Sequence, residues 1–256
     1  MKNTLLCCVL LALFPACELR SEAPAVALGP APVVVELFTS QGCSSCPPAD
    51  ALLTKLAADP AMRGHVIPLA FHVDYWNHLG WRDPFSTAQW SDRQRHYYAA
   101  LGSATVYTPQ AIVNGRTEAV GSDETRIRRL IAEASESRAV ARLSLSPLRL
   151  SGRTIAVDVS GEILETIRAR DLRLVAVVFE SVADTRVAAG ENSGRTLHND
   201  RIVRMLNEDE HIAAEGGTKI ERTIELHTGP ETNIQRAGVA VFLQDRQSRA
   251  IYAAAM

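Results

Sequence analysis

The chain has 256 residues, of which 46% are apolar and 22% charged, and its net charge is −2. That balance is ordinary for a globular protein, and the length suits one large domain or two smaller ones. With no basic stripe or arginine-rich tract, a nucleic-acid partner has no electrostatic support.

Lys2 and the apolar run from Leu5 to Phe14 have the form of a signal peptide, the run being too short to span a bilayer. The Ala- and Pro-rich stretch that follows shows no helical or strand period. Residues 1–30 are therefore read as signal peptide and linker of an exported protein, periplasmic or secreted. Two processing routes stay open. Ala23-Pro24-Ala25 and Ala25-Val26-Ala27 fit small-x-small cleavage, whereas Phe14-Pro15-Ala16-Cys17 resembles a lipoprotein box that would make Cys17 a lipid anchor. Cys7 and Cys8 leave with the signal, and Cys17 is removed or lipidated. The mature chain then keeps Cys43 and Cys46, a pair free to oxidise outside the cytoplasm.

In chain order, Val33–Phe38 is a β-branched apolar run and predicts a buried strand. Pro47 and Pro48 are tolerable only in a helix's first turn, so they pin a helix start beside the cysteines. Ala49–Ala58 continues that helix, and Val66–Val73 is the next strand, parallel to the first in a βαβ unit. Thr87–Leu101 is helical within a polar, aromatic segment that holds all three tryptophans. Gln110–Val113 and Thr117–Val120 flank the hairpin signal Asn114-Gly115. Ser122 then caps a helix running to about Ser137. Beyond residue 140 come only short strand candidates, within 143–145, 155–159, 172–179, 202–206, 223–226, 239–243 and 250–254. Turn residues separate them, which predicts a β-sandwich. The expected fold class is thus an α/β domain over 31–140 followed by an all-β, sandwich-like domain over 141–256.

Cysteines three apart at a helix start lie on one face and can close a small disulfide ring. Cys43, in the turn before the helix, meets unpaired N–H groups and the positive end of the dipole, which favour its thiolate and an attacking role. Cys46, one turn inside, suits the resolving role. Three readings of the pair are open: redox exchange, an inert structural disulfide, and metal or copper handling with help from ligands elsewhere. Glu36, in an otherwise apolar strand, either points to an open edge or is a buried acid able to take and return the Cys46 proton. Pro109 opens a strand, and a cis Thr108–Pro109 bond would set the Thr108 backbone beside a bound chain.

Residues 33 to about 138 resemble the thioredoxin superfamily in element order, CxxC helix, Thr-Pro and Asn-Gly hairpin. The phrase from Glu36 to Pro48 extends the resemblance, over the whole mature chain, to an exported bacterial domain-of-unknown-function family with a thioredoxin-like fold. The resemblance implies that Cys43 is the nucleophile, Cys46 the resolving thiol, Pro109 the cis-proline and Glu36 the buried acid, offset by one residue. Gly42 and Ser44-Ser45 depart from the usual thioredoxin Trp and Gly-Pro.

Ligands gather at the C-terminal ends of parallel strands. His72–Asp83 should therefore line the cysteine site, with Tyr75, Trp76 and Trp81 as a peptide-binding wall and His72 or Asp74 tuning the thiols; core packing of the aromatics is the competing reading. Gly190–Arg195 is read as a turn or as a loop meeting the redox face. There is no HExxH, GxSxG, GxGxxG or P-loop, so no cofactor and no metal centre is expected. The function expected is extracytoplasmic thiol–disulfide exchange on protein or peptide substrates. A binding module stapled by Cys43–Cys46 is the alternative.

Overall fold

The computed structural model describes residues 32–256. The signal segment, both candidate cleavage regions and Cys17 lie outside these residues. Most local elements fall where the sequence places them: β1 (Val33–Thr39), α1 (Pro47–Ala58), β2 (Val66–His72), α2 (Ala88–Leu101), β3 (Gln110–Val113), β4 (Thr117–Val120) and α3 (Glu124–Ser135). Thr87 caps α2 by accepting from the Gln89 N–H. The α3 cap is Asp123 rather than Ser122, its carboxylate accepting from the Arg126 N–H.

The second half contributes β5 (Ala141–Leu145), β6 (Arg149–Ser151), β7 (Thr154–Ile163), β8 (Leu172–Arg186), β9 (Thr196–His211), β10 (Lys219–His227), β11 (Ala237–Asp245) and β12 (Ile251–Ala255). All seven predicted strands lie in this set. Their assembly differs from the predicted fold class. Instead of an α/β domain followed by a separate sandwich, one eight-stranded mixed sheet runs β12-β11-β8-β9-β2-β1-β3-β4 across residue 140. Its two halves meet where β9 lies parallel to β2 at Ala70 and Ile202. The 15 residues of β8 and 16 of β9 make these strands too long for a compact sandwich, and they carry the sheet across.

Side-chain alternation explains why the halves merge. Val34 and Phe38 of β1 share one apolar cluster with Phe71, Trp90 and Tyr97, and also with Val175, Val177, Val203 and Phe242 of the second half. The sheet curls around this cluster until the Ile251 N–H donates to the Asn114 carbonyl, 2.9 Å away. On the reverse face, Val33 and Val35 pack under Leu52, Leu56, Ile127 and Leu130 of α1 and α3. Further along that sheet, Leu174, Val178 and Val241 pack against Val157, Ile220 and Leu226 of β7 and β10, which with β5 and β6 form a four-stranded sheet.

Residues 33–140 alone would uncover Phe38, Phe71 and the β2 edge. At about 1.5–3 kcal/mol per uncovered large apolar side chain, the loss is comparable with a domain's entire net stability. The isolated fragment is expected to melt without a cooperative transition when followed by circular dichroism. A sharp melt with dispersed amide resonances would show that this half holds its own core.

Candidate redox site

β1 ends at Thr39, and the chain turns through Ser40–Cys43 into α1, whose N-cap is Cys46 with Pro47 at its first position. The Ala49 and Asp50 N–H groups both donate to the Cys46 carbonyl, at 2.8 and 3.1 Å. Cys43 and Cys46 are joined as a disulfide, their Cα atoms 5.4 Å apart. The Thr108–Pro109 bond is cis, as its sequence position suggests. Thr108 Oγ1 lies 3.5 Å from Cys43 Sγ and accepts from Trp76 Nε1 at 2.8 Å. Trp81 Nε1 donates to Gln41 Oε1 at 3.2 Å. Two of the three tryptophans therefore reach the cysteine loop, while Trp90 packs in the core against Phe71. Gly42 permits this closeness, since a side chain there would meet Trp76 Cβ at 3.0 Å.

An attacking thiol in the turn before a helix would be expected at the surface, and the structure corrects this for Cys43. Both cysteines are fully buried, and only Ser44 and Ser45 of the motif reach solvent. Ser45 and Thr108 lie against the Cys43 sulfur, and the second half adds contacts to the backbone of the loop. Asn192, between β8 and β9, donates its side-chain amide to the carbonyls of Gln41 and Cys43, each at 2.9 Å. Glu191 accepts from the Ser44 N–H at 2.9 Å.

Of the two readings of Glu36 the structure gives the buried one, but with a partner other than the cysteines. It lies on the face of β1 turned away from α1. There it is gripped by Arg93 of α2 through two hydrogen bonds, Nε to Oε2 at 2.6 Å and Nη2 to Oε1 at 2.9 Å. The Tyr97 hydroxyl donates to the same carboxylate, and Gln244 of β11 accepts from Arg93 at 3.2 Å. Burial works against the Arg93 charge, but Glu36 outweighs it and holds the guanidinium pKa above its usual value. Glu36 is thus tied into an ion pair that stitches the two halves together.

The face toward α1 carries a different acid. Asp50, one turn after Cys46, is buried and accepts from the Thr39 hydroxyl at 2.8 Å. Burial pushes its pKa up to about 6, against the opposing influence of His72 and Thr39. His72, paired with Thr39 across β1 and β2, directs Nδ1 to Asp83 Oδ2 at 2.7 Å, both side chains fully buried. Its Nε2 has no hydrogen-bond partner among the described residues. Burial opposes a charge on His72, but the Asp83 carboxylate prevails and raises its pKa. Asp83 is itself buried, yet His72 and the Gln41 and Phe85 N–H groups keep its carboxyl below the usual range. The Gln41 N–H donates to Asp83 Oδ2 at 2.8 Å, which ties this pair to the cysteine loop.

Other predicted residues lie further off. Asp74 accepts from the Ser91 hydroxyl and so anchors α2, while Tyr75 donates to Gln94 Oε1 at 3.0 Å and packs beside Trp76. Glu191 and Asn192 lie in the Gly190–Arg195 segment, whose reading as a loop meeting the cysteine site is the one found here, and Asp83 ends the His72–Asp83 segment expected to line that site. The one signal for Asp50 was its spacing, four residues after Cys46 on a helix. Among the described residues, no group of three or more His, Cys, Asp or Glu side chains is placed to hold a metal ion.

A family model described as "Protein of unknown function (DUF1223)" matches residues 34–244. A crystal structure of a protein from Agrobacterium tumefaciens is similar at 31% identity, with a TM-score of 0.65 over 89% of this chain and 94% of the other. HBP35 of Porphyromonas gingivalis shares the fold at 16% identity and a TM-score of 0.62, over 89% of this chain and 74% of its own. No curated protein matches the chain. With the family model spanning both halves of the shared sheet, the chain belongs to the DUF1223 family.

Proposed function

We propose that Cys43 and Cys46 carry out thiol–disulfide exchange on protein or peptide thiols outside the cytoplasm, on a scaffold whose first half is thioredoxin-like. The β2-β1-β3-β4 order, with α1 and α3 on one face and α2 on the other, supports that likeness. The observation that carries the reading is a disulfide at the N-terminus of α1 beside Thr108, with the buried acid Asp50 one turn after Cys46 on the same helix. An entering thiolate attacks Cys43 Sγ, the Cys43–Cys46 bond breaks, and a mixed disulfide forms on Cys43. Cys46 leaves as a thiolate at the positive end of the helix dipole and takes a proton from Asp50. In the second step the substrate's second thiolate attacks the substrate sulfur of the mixed disulfide, Cys43 leaves as a thiolate, and the substrate departs as a disulfide with the cysteine pair reduced. Return of the proton to Asp50 and attack of Cys46 on Cys43 Sγ would only reverse the first step, closing the ring and releasing the original thiolate.

The complete burial of both cysteines favours a second reading, in which the disulfide only braces a binding module. Equilibration against glutathione and dithiothreitol buffers separates the two. Exchange chemistry expects a potential between about −120 and −270 mV, and a brace expects one below about −300 mV. Export, and anchoring through Cys17, belong to the same proposal; mass spectrometry of the mature N-terminus tests them.

A further inference from the structure

Thiol–disulfide exchange needs access to a sulfur, and Cys43 has none. The β8–β9 tip, residues 188–193, lies against the backbone of this cysteine loop, bonded to Gln41, Cys43 and Ser44. The base of the tip is closed by two bonds of 2.9 Å, Val187 N–H to the Arg195 carbonyl and Gly194 N–H to the Val187 carbonyl. Beyond that base, Asn192 is fully buried while Glu191 and Ser193 on either side are exposed. The buried amide is therefore inserted from a surface loop. It is held by the Gln41 and Cys43 carbonyls and fixed from behind by Arg195 Nη1, which donates to Asn192 Oδ1 at 2.8 Å. Gly190, at φ +73°, seats the tip on the aromatic insertion; a side chain there would meet Trp81 Cβ at 3.1 Å and the Leu79 carbonyl at 3.3 Å.

We infer that the β8–β9 tip is a strap that gates the Cys43–Cys46 disulfide, with Asn192 as its latch and Glu191 as an electrostatic guard. The inference rests on the exchange reading and names how that site is regulated. With the strap closed, no thiol reaches Cys43. With it lifted, the space over Cys43 and Thr108 is free for the cysteine-bearing segment of a substrate chain. The latch consists of a few polar contacts on Glu191–Ser193, a stretch flanked by Gly190 and Gly194, so it can open without disturbing the sheet beneath. Glu191 sits on the Ser44 N–H, beside the helix start that would stabilise a thiolate. Its carboxylate therefore repels an entering thiolate and opposes a Cys43 thiolate after reduction. Because such coupling is reciprocal, reduction of the pair favours the open strap.

The test is the rate at which dithiothreitol reduces the disulfide in the exported chain, followed by quenched alkylation and mass spectrometry. Asn192→Ala, and Asn192→Asp as a variant of the same size, are expected to raise this rate about tenfold to a hundredfold, the worth of one or two hydrogen bonds. Glu191→Gln, which keeps an acceptor for Ser44 but removes the charge, should raise it severalfold. Amide exchange at Ser44 should be slow in the oxidised protein and accelerate on reduction. Circular dichroism melts of all three variants check that the fold is kept. Rates equal to the natural chain in correctly folded variants would overturn the strap. Raised rates together with a potential below about −300 mV would uphold the gate while ending the exchange reading.

Discussion

Arg93→Met is expected to lower the free energy of unfolding by about 3–5 kcal/mol, measured as a shift in the urea midpoint at constant slope. The substitution leaves Glu36 as a buried carboxylate with Tyr97 as its remaining donor, in a cluster otherwise built from Phe38, Phe71 and Phe242. Removing both charges with Arg93→Met and Glu36→Leu should recover most of that loss, because an apolar pair has no desolvation to offset. The cycle also assigns the role of Glu36. As a stitch between α2, β1 and β11, it should leave the potential of the cysteine pair unchanged in Glu36→Gln. A shifted potential in that variant would return Glu36 to the redox site.

Asp50→Asn is expected to change how stability depends on pH. The Asp50 carboxyl titrates near 6 in the folded chain against 3.8 ordinarily, so between these values the folded state holds the extra proton. Its contribution is fully present below pH 3.8 and is lost as the pH rises through 6, a change on the order of 3 kcal/mol. His72 acts in the same direction, since its raised pKa gives stability present below 6.5 that is lost as the pH passes its folded value. Asparagine keeps an acceptor for Thr39 and carries no charge. The variant should therefore gain on the natural chain by up to about 3 kcal/mol between pH 4 and pH 8. If the two urea midpoints stay a constant distance apart across that range, Asp50 titrates as an ordinary carboxyl and the proton role proposed for it fails.

The sequence alone determined the local elements and the cysteine pair at the centre of the site. The β-branched run before the cysteines, Pro47 and Pro48 at the helix start, and the turn residues that separate the seven later strands all act within a few residues, so each could be read directly. The same holds for the cysteine spacing and for Pro109, whose bond is cis and whose neighbour Thr108 lies beside Cys43. The tertiary structure decided how these elements share one core. A strand pattern shows that one face is buried but not which strand lies alongside, so the pairing of Ala70 with Ile202 turned two expected domains into one sheet. For the same reason the sequence left Glu36 open between an exposed edge and a buried acid serving Cys46, and the fold buries it against Arg93 instead. A charge in a strand requires compensation, but the guanidinium that supplies it stands 57 residues away on α2. The contact over the cysteine loop was only half readable. Gly190–Arg195 stood out as a segment that either turns or meets the cysteine face, but only the fold carries the Asn192 amide to two carbonyls 151 and 149 positions earlier in the chain. Short-range forces write periodicity into a sequence, whereas a buried polar contact between distant segments is a pairing that neither segment displays by itself.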